Sequence, residues 1–142
     1  MSKLIYVEPQ EITEEEVIEA IKHDDIERLR QIPIQLGLHH RNWKFTQDIS
    51  IRLTAHQDVG VRANAFFGIE YAARFRGRLE KNLVKPVLLR GLRDPVPMVA
   101  KRAQETIDDV NHLLKWTIGG ARRQKMLEKR YEQRHPRNTE QD

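Results

Sequence analysis

The chain has 142 residues, with 25 Lys and Arg against 21 Asp and Glu, a formal charge of +4 and no cysteine. One compact domain is expected at that length, and 39% apolar with 32% charged residues excludes a membrane-embedded or disordered chain. The missing cysteines remove disulfide scaffolds, thiol catalysis and thiolate metal sites, and seven Gly and six Pro are too few for a loop-dominated or all-β fold.

The opening MSKLIYVEPQEITEEE has no long apolar run and turns acidic, so no secretory signal is expected. No stretch approaches the roughly 20 apolar residues of a membrane span. A cytoplasmic location follows by default. Charge is divided along the chain: residues 1–27 carry −7, residues 28–118 carry +8 and residues 119–142 carry +3. An acidic N-terminal helix either packs on the basic body and offsets its field or decorates a solvated face.

Thr13-Glu14-Glu15-Glu16 has the form of a capping box and predicts a first helix over 14–23, with Val17, Ile18 and Ile21 on its apolar side. Asp24 or Asp25 caps a second helix, with Ile26, Leu29 and Ile32 inward, which ends or kinks near Pro33. Residues 37–41, Gly-Leu-His-His-Arg, read as a connection. Asn42 caps a third helix to about residue 55, in which Trp43, Phe45, Ile49 and Leu53 recur at helical spacing.

Asp58 caps a fourth helix to about Phe75, lined by Val61, Ala65, Ile69 and Ala72, with Gly68 admitting a close neighbour. Arg76-Gly77-Arg78 ends it, and a fifth helix over 81–92 carries Leu83, Val84, Val87, Leu88 and Leu92, with Pro86 near its start. Pro95 or Pro97 opens a sixth helix to about Trp116, striped by Val99, Ala103, Ile107, Val110 and Leu114 and stopped by Gly119-Gly120. The basic tail predicts a helix to about Gln133 with Met126, Leu127 and Tyr131 on a narrow apolar side, and disorder beyond Arg134.

The helix pairs 42–75 and 81–116 superpose at an offset of 38: Phe45 on Leu83, Ile49 on Val87, Arg52 on Arg90, Val61 on Val99, Ala65 on Ala103 and Ile69 on Ile107. Such units must stack to bury their apolar faces, and about three are needed. The pair 13–36 is the third, an atypical cap, because a further shift of 38 from Val61 meets His23.

Two stretches, His56-Gln57-Asp58-Val59-Gly60-Val61-Arg62-Ala63-Asn64-Ala65 and Asp94-Pro95-Val96-Pro97-Met98-Val99-Ala100-Lys101-Arg102-Ala103, resemble the turn and second-helix start of HEAT repeats. That family's pattern is Asp-Pro followed by Val-Arg-x-x-Ala. The first copy lacks the Pro, and the second has Ala100 where Arg is usual. Residues 43–113 are also similar to small bacterial HEAT-like proteins through Gln47-Asp48, Arg52-Leu53, Gly68, Ala73-Arg74, Gly77-Arg78-Leu79, Pro86 and Arg102-Ala103. The resemblance implies an all-α fold: a short right-handed α-solenoid of about three helix pairs over 1–118 with a concave binding surface, then the tail 119–142. For several such stand-alone proteins it implies a role as immunity proteins or adaptors near secreted toxins.

Chemistry is sparse. His39 and His40 point apart on any regular element and no His-x-x-x-His occurs, so scattered surface histidines are expected rather than a metal site. The side chains of Asp108 and Asp109 diverge by about 100° on a helix. No phosphate loop, Gly-x-Ser-x-Gly or Ser/His/Asp grouping is present, and a non-catalytic chain without cofactor is inferred. A catalytic use of Asp48 or Asp108 is a third reading.

Two lines suit a protein partner better. Asn64, Phe67, Tyr71, Arg74 and Arg78 run along the fourth helix away from Val61, Ala65 and Ile69, and they include residue types enriched in interface cores. Arg102, Glu105, Asp109, His112 and Trp116 form the second line on the sixth helix. Phe67 and Tyr71 packed under the N-terminal helices, and a plain solvated face on the sixth, are the competing readings. Nucleic acid is the alternative partner, since most of the sixteen bases in 28–118 are arginine and Trp43 or Trp116 could stack on a base. The tail, with Arg122, Arg123, Lys125, Lys129, Arg130, Arg134 and Arg137, docks on the solenoid end, contacts an anionic partner or dangles.

Overall fold

A computed structural model describes residues 10–135, without the side chains of 121–125 and 127. The first nine of the residues from which no secretory signal is expected, the side chain of Leu127 and, from residue 136 on, the stretch of disorder expected beyond Arg134 lie outside the described residues. Among the described residues seven helices follow one another: α1 Glu14–Lys22, α2 Ile26–His39, α3 Trp43–Leu53, α4 Val59–Tyr71, α5 Lys81–Gly91, α6 Pro97–Leu114 and α7 Ala121–Arg134. A π-helical turn, Ala72–Arg76, extends α4. The described residues contain no strand, and no helix among them is long and apolar enough to cross a membrane.

Four helices start on side chains that accept from the backbone N–H three residues on: Thr13, Asp25, Asn42 and Asp58. Glu16 completes the capping box at Thr13. Asp24 instead takes a positive φ of 48° in the α1–α2 turn, and its carboxylate meets His56 Nε2 at 2.6 Å.

Helices α1–α2, α3–α4 and α5–α6 pair as hairpins, and α2, α4 and α6 lie side by side with α4 in the middle. Two apolar clusters result. Val17, Ala20, Leu29, Ile32, Leu36 and Leu53 meet Val61 and Ala65 on one side of α4. Ala63, Phe66 and Ile69 on its other side meet Val84, Val87, Leu88, Val99, Ala103, Ile107 and Val110. Helix α4 is therefore apolar nearly all round, as a central helix must be.

Pro33 neither ends α2 nor defines its limit. The helix runs on to His39 because Ile32, Pro33, Leu36 and Gly37 are all buried, and tertiary packing outweighs the one lost N–H. Gly37, read as part of a connection, is a contact point instead. A Cβ there would stand 2.5 Å from Tyr71 Cβ, so only glycine lets α2 and α4 approach this closely.

Other expectations also change. Ile18 is 55% exposed and Leu83 42%, each lying one residue off the buried line. The interior of α3 is Thr46, Gln47, Ser50 and Leu53, with Phe45 and Ile49 only partly covered. Helix α6 stops at Lys115, which adopts a left-handed φ of 58°, and not at the two glycines.

Two clasps tie successive hairpins. Arg30 Nε and Nη2 donate to Asp58 Oδ2 and Oδ1 at 3.0 and 2.9 Å. Arg62 does the same to Asp94 at 2.8 and 3.1 Å. The register that fails at 38 thus holds at 32, Arg30 to Arg62, because α2 has 14 residues whereas α4 and its π turn have 13 and 5.

A candidate binding face on helices α4 and α6

The ten residues singled out are five positions taken twice, 38 residues apart; Arg74 falls in the π turn, and Arg78 and Trp116 lie beyond the ends of the helices expected to carry them. Their joint is Phe67, over whose ring the Arg102 guanidinium lies 4.1 Å from the centroid. Tyr71 rests on Gly37, and its ring centroid stands 5.8 Å from that of Phe67 and 5.5 Å from that of Phe75. Arg74 reaches Glu70 at 3.7 Å and Arg102 reaches Glu105 at 3.4 Å. Arg78 is exposed beyond the π turn. Phe67, Tyr71, Arg74, Arg102 and Glu105 therefore form one continuous partly exposed surface.

The remaining members are engaged within the chain. Asn64 Nδ2 donates to the Arg30 carbonyl at 2.9 Å, tying α4 to α2. Trp116 packs on the α4–α6 core, with Lys81 Nζ 5.7 Å from its ring centroid. Asp109 is 9% exposed, and Arg134 of α7 approaches it at 3.7 Å. His112 Nδ1 meets Glu128 at 3.0 Å, and the Tyr131 ring stacks on the imidazole at a centroid distance of 3.6 Å. Helix α7 thus docks along α6 and covers the lower half of the second line. The acids of the N-terminal segment divide between both readings: Glu14 pairs with His40 and Glu16 with Arg28, whereas Glu15 stays exposed.

Glu70 was not anticipated. It sits between the two lines, at the position equivalent to Asp108, and hydrogen-bonds the neighbouring Asp109 across the α4–α6 interface. Burial first, and then that hydrogen bond and the Asp109 charge, push the Glu70 carboxyl up to about 8 despite Arg74 and Arg102. The two adjacent carboxyls thus favour holding a proton between them. No local pattern points to this contact; only the stacking of α4 on α6 brings the two acids together.

The carboxylates considered for catalysis are otherwise occupied: Asp48 accepts from Gln47 at 3.0 Å, and Asp108 from Gln104 at 2.8 Å. Asp58 is lowered to about 2, first by Arg30 and next by the Val61 N–H. Burial pushes Asp94 up, but Arg62 and the Val96 N–H outweigh it and its pKa falls below the ordinary carboxylate range. These shifts belong to the hairpin clasps.

In comparisons with known proteins, no family model, curated protein or solved structure matches this chain.

Proposed function

We propose that this chain is a short solenoid of HEAT-like helix pairs that binds one protein partner without catalysing a reaction. The observation that carries the reading is the surface Phe67, Tyr71, Arg74, Arg102 and Glu105, in which aromatic rings and guanidinium groups are packed together yet open. Arginine and tyrosine anchor protein interfaces because they offer large contact areas and directed hydrogen bonds at low cost in side-chain freedom. The two Arg–Asp clasps support a stack stiff enough to present that surface preorganised.

The resemblance to small bacterial HEAT-like proteins motivates the more specific form: an immunity protein that occludes the active site of a toxin. Capture from lysate after nuclease treatment, compared with the Arg74→Glu/Arg78→Glu variant, tests the surface. A partner retained through nuclease and lost on charge reversal is the expected result. Equal capture by both proteins would remove this face from the proposal.

A further inference from the structure

The edge where α4 and α6 end and α5 begins gathers Arg74, Arg76, Arg78, Lys81 and Lys115. Among the described residues, Arg76 reaches only the His40 carbonyl, at 3.4 Å, and Lys81 only the Trp116 ring. Arg78 and Lys115 have no acidic partner among the described residues. The nearby Glu80 and Asp48 are taken up by Lys44, and Arg74 keeps its 3.7 Å contact with Glu70. Phe75, 48% exposed, stands between Arg74 and Arg76.

We infer that this edge binds single-stranded nucleic acid. Unpaired guanidinium and ammonium groups on adjacent helix ends, which pack about 8–10 Å apart, can follow successive phosphates and release their counterions. The open ring of Phe75 is the feature that favours a nucleic acid over an acidic polypeptide. A base can stack on it while its phosphates meet the flanking arginines, whereas a run of carboxylates has no use for it. The arginines expected to serve this purpose are largely committed elsewhere: Arg30 and Arg62 hold the clasps, and Arg102 covers Phe67. The edge shares Arg74 and Arg78 with the protein-binding proposal, whereas Arg76, Lys81 and Lys115, the residues varied below, lie outside that face.

The test is fluorescence anisotropy of the full chain with a labelled oligouridylate of about 20 nucleotides, starting near 50 mM salt, where electrostatic binding is strong. Arg76→Gln/Lys81→Gln/Lys115→Asn is expected to weaken binding at least about tenfold and to flatten its logarithmic salt dependence by about 2. Phe75→Ala should weaken it about fivefold or more with an unchanged slope. Arg76→Lys/Lys81→Arg, which keeps the charge, should retain the slope, and Lys22→Gln/Arg93→Gln at the opposite edge should bind as the parent does. Circular dichroism of each variant checks folding. Absence of binding at low salt, or a triple variant that binds like the parent, overturns the inference. So does competition by polyglutamate together with a silent Phe75→Ala, which would point to an acidic polypeptide.

Discussion

Arg62 closes on Asp94 with two parallel hydrogen bonds, Nε to Oδ2 at 2.8 Å and Nη2 to Oδ1 at 3.1 Å, while its Nη1 donates to the carbonyls of His56 and Gln57. One side chain therefore satisfies the α3–α4 turn and fastens it to the α5–α6 turn. The equivalent position on α6 is Ala100, so no third clasp extends from there. Both partners of this clasp are largely buried, at 14% and 11% side-chain exposure, in contrast with the 48% of Arg30.

Arg62→Ala is expected to lower stability by about 1–3 kcal/mol, because it strands a buried carboxylate and two carbonyls. Arg62→Lys should recover little of that loss, since an ammonium group cannot reproduce the fork. Urea unfolding of the two variants, with Asp94→Asn and the double variant closing a cycle, checks the claim. A lysine variant as stable as the parent would show that charge alone suffices.

Glu70 imposes a pH dependence with a definite sign. Its folded pKa, raised to about 8 from 4.5, means that the folded chain binds the proton more tightly than the unfolded one does. The associated stability is complete below about pH 4.5 and is lost as pH rises to about 8. Glu70→Gln keeps a neutral donor for Asp109 and abolishes the titration. The variant should melt near the parent at pH 5 and above it at pH 9, and parallel melting curves at both values would contradict the raised pKa.

Helix starts are legible in the sequence because a cap acts within three residues: Thr13, Asp25, Asn42 and Asp58 each do so. Helix ends are not, because they depend on what packs there. Gly37 carries the local signature of a stop, but it serves contact with Tyr71 in mid-fold. The binding lines on α4 and α6 follow from helical spacing, yet the docking of α7 over Asp109 and His112 does not, since α7 has a mostly polar sequence and binds α6 through the Arg134–Asp109 ion pair, the His112–Glu128 hydrogen bond and a ring stack. The Glu70–Asp109 contact is illegible for the same reason: it joins residues 39 apart on different helices.

Gln47 shows how a polar residue becomes core. Its Oε1 accepts from the Glu80 N–H at 2.6 Å, and its Nε2 donates to the Glu80 carboxylate at 2.9 Å, so one buried amide seats the start of α5 on α3. Gln47→Leu fills much the same space and leaves that N–H without its partner. It should destabilise by about 1–3 kcal/mol, with hydrogen exchange accelerated first at the beginning of α5. Unchanged exchange there would mean that water replaces the amide at no cost.

Gly37 offers the sharpest stability test because two general effects oppose each other there. In an unconstrained helix interior, Gly→Ala stabilises by about 0.5–1 kcal/mol through backbone entropy and helix propensity. At Gly37 the new methyl would meet Tyr71 Cβ at 2.5 Å and Cδ2 at 2.7 Å. Tyr71 Cβ is fixed to the backbone and cannot swing away, so α2 and α4 must separate along their most extensive contact. Overpacking of this kind costs about 1–3 kcal/mol and exceeds the propensity gain. Gly37→Ala should therefore lower the melting temperature, and Tyr71→Ala should not relieve it, since the clashing Cβ remains, whereas Tyr71→Gly should restore part of the loss. Stabilisation by Gly37→Ala would mean that the two helices do not approach as closely as this geometry requires.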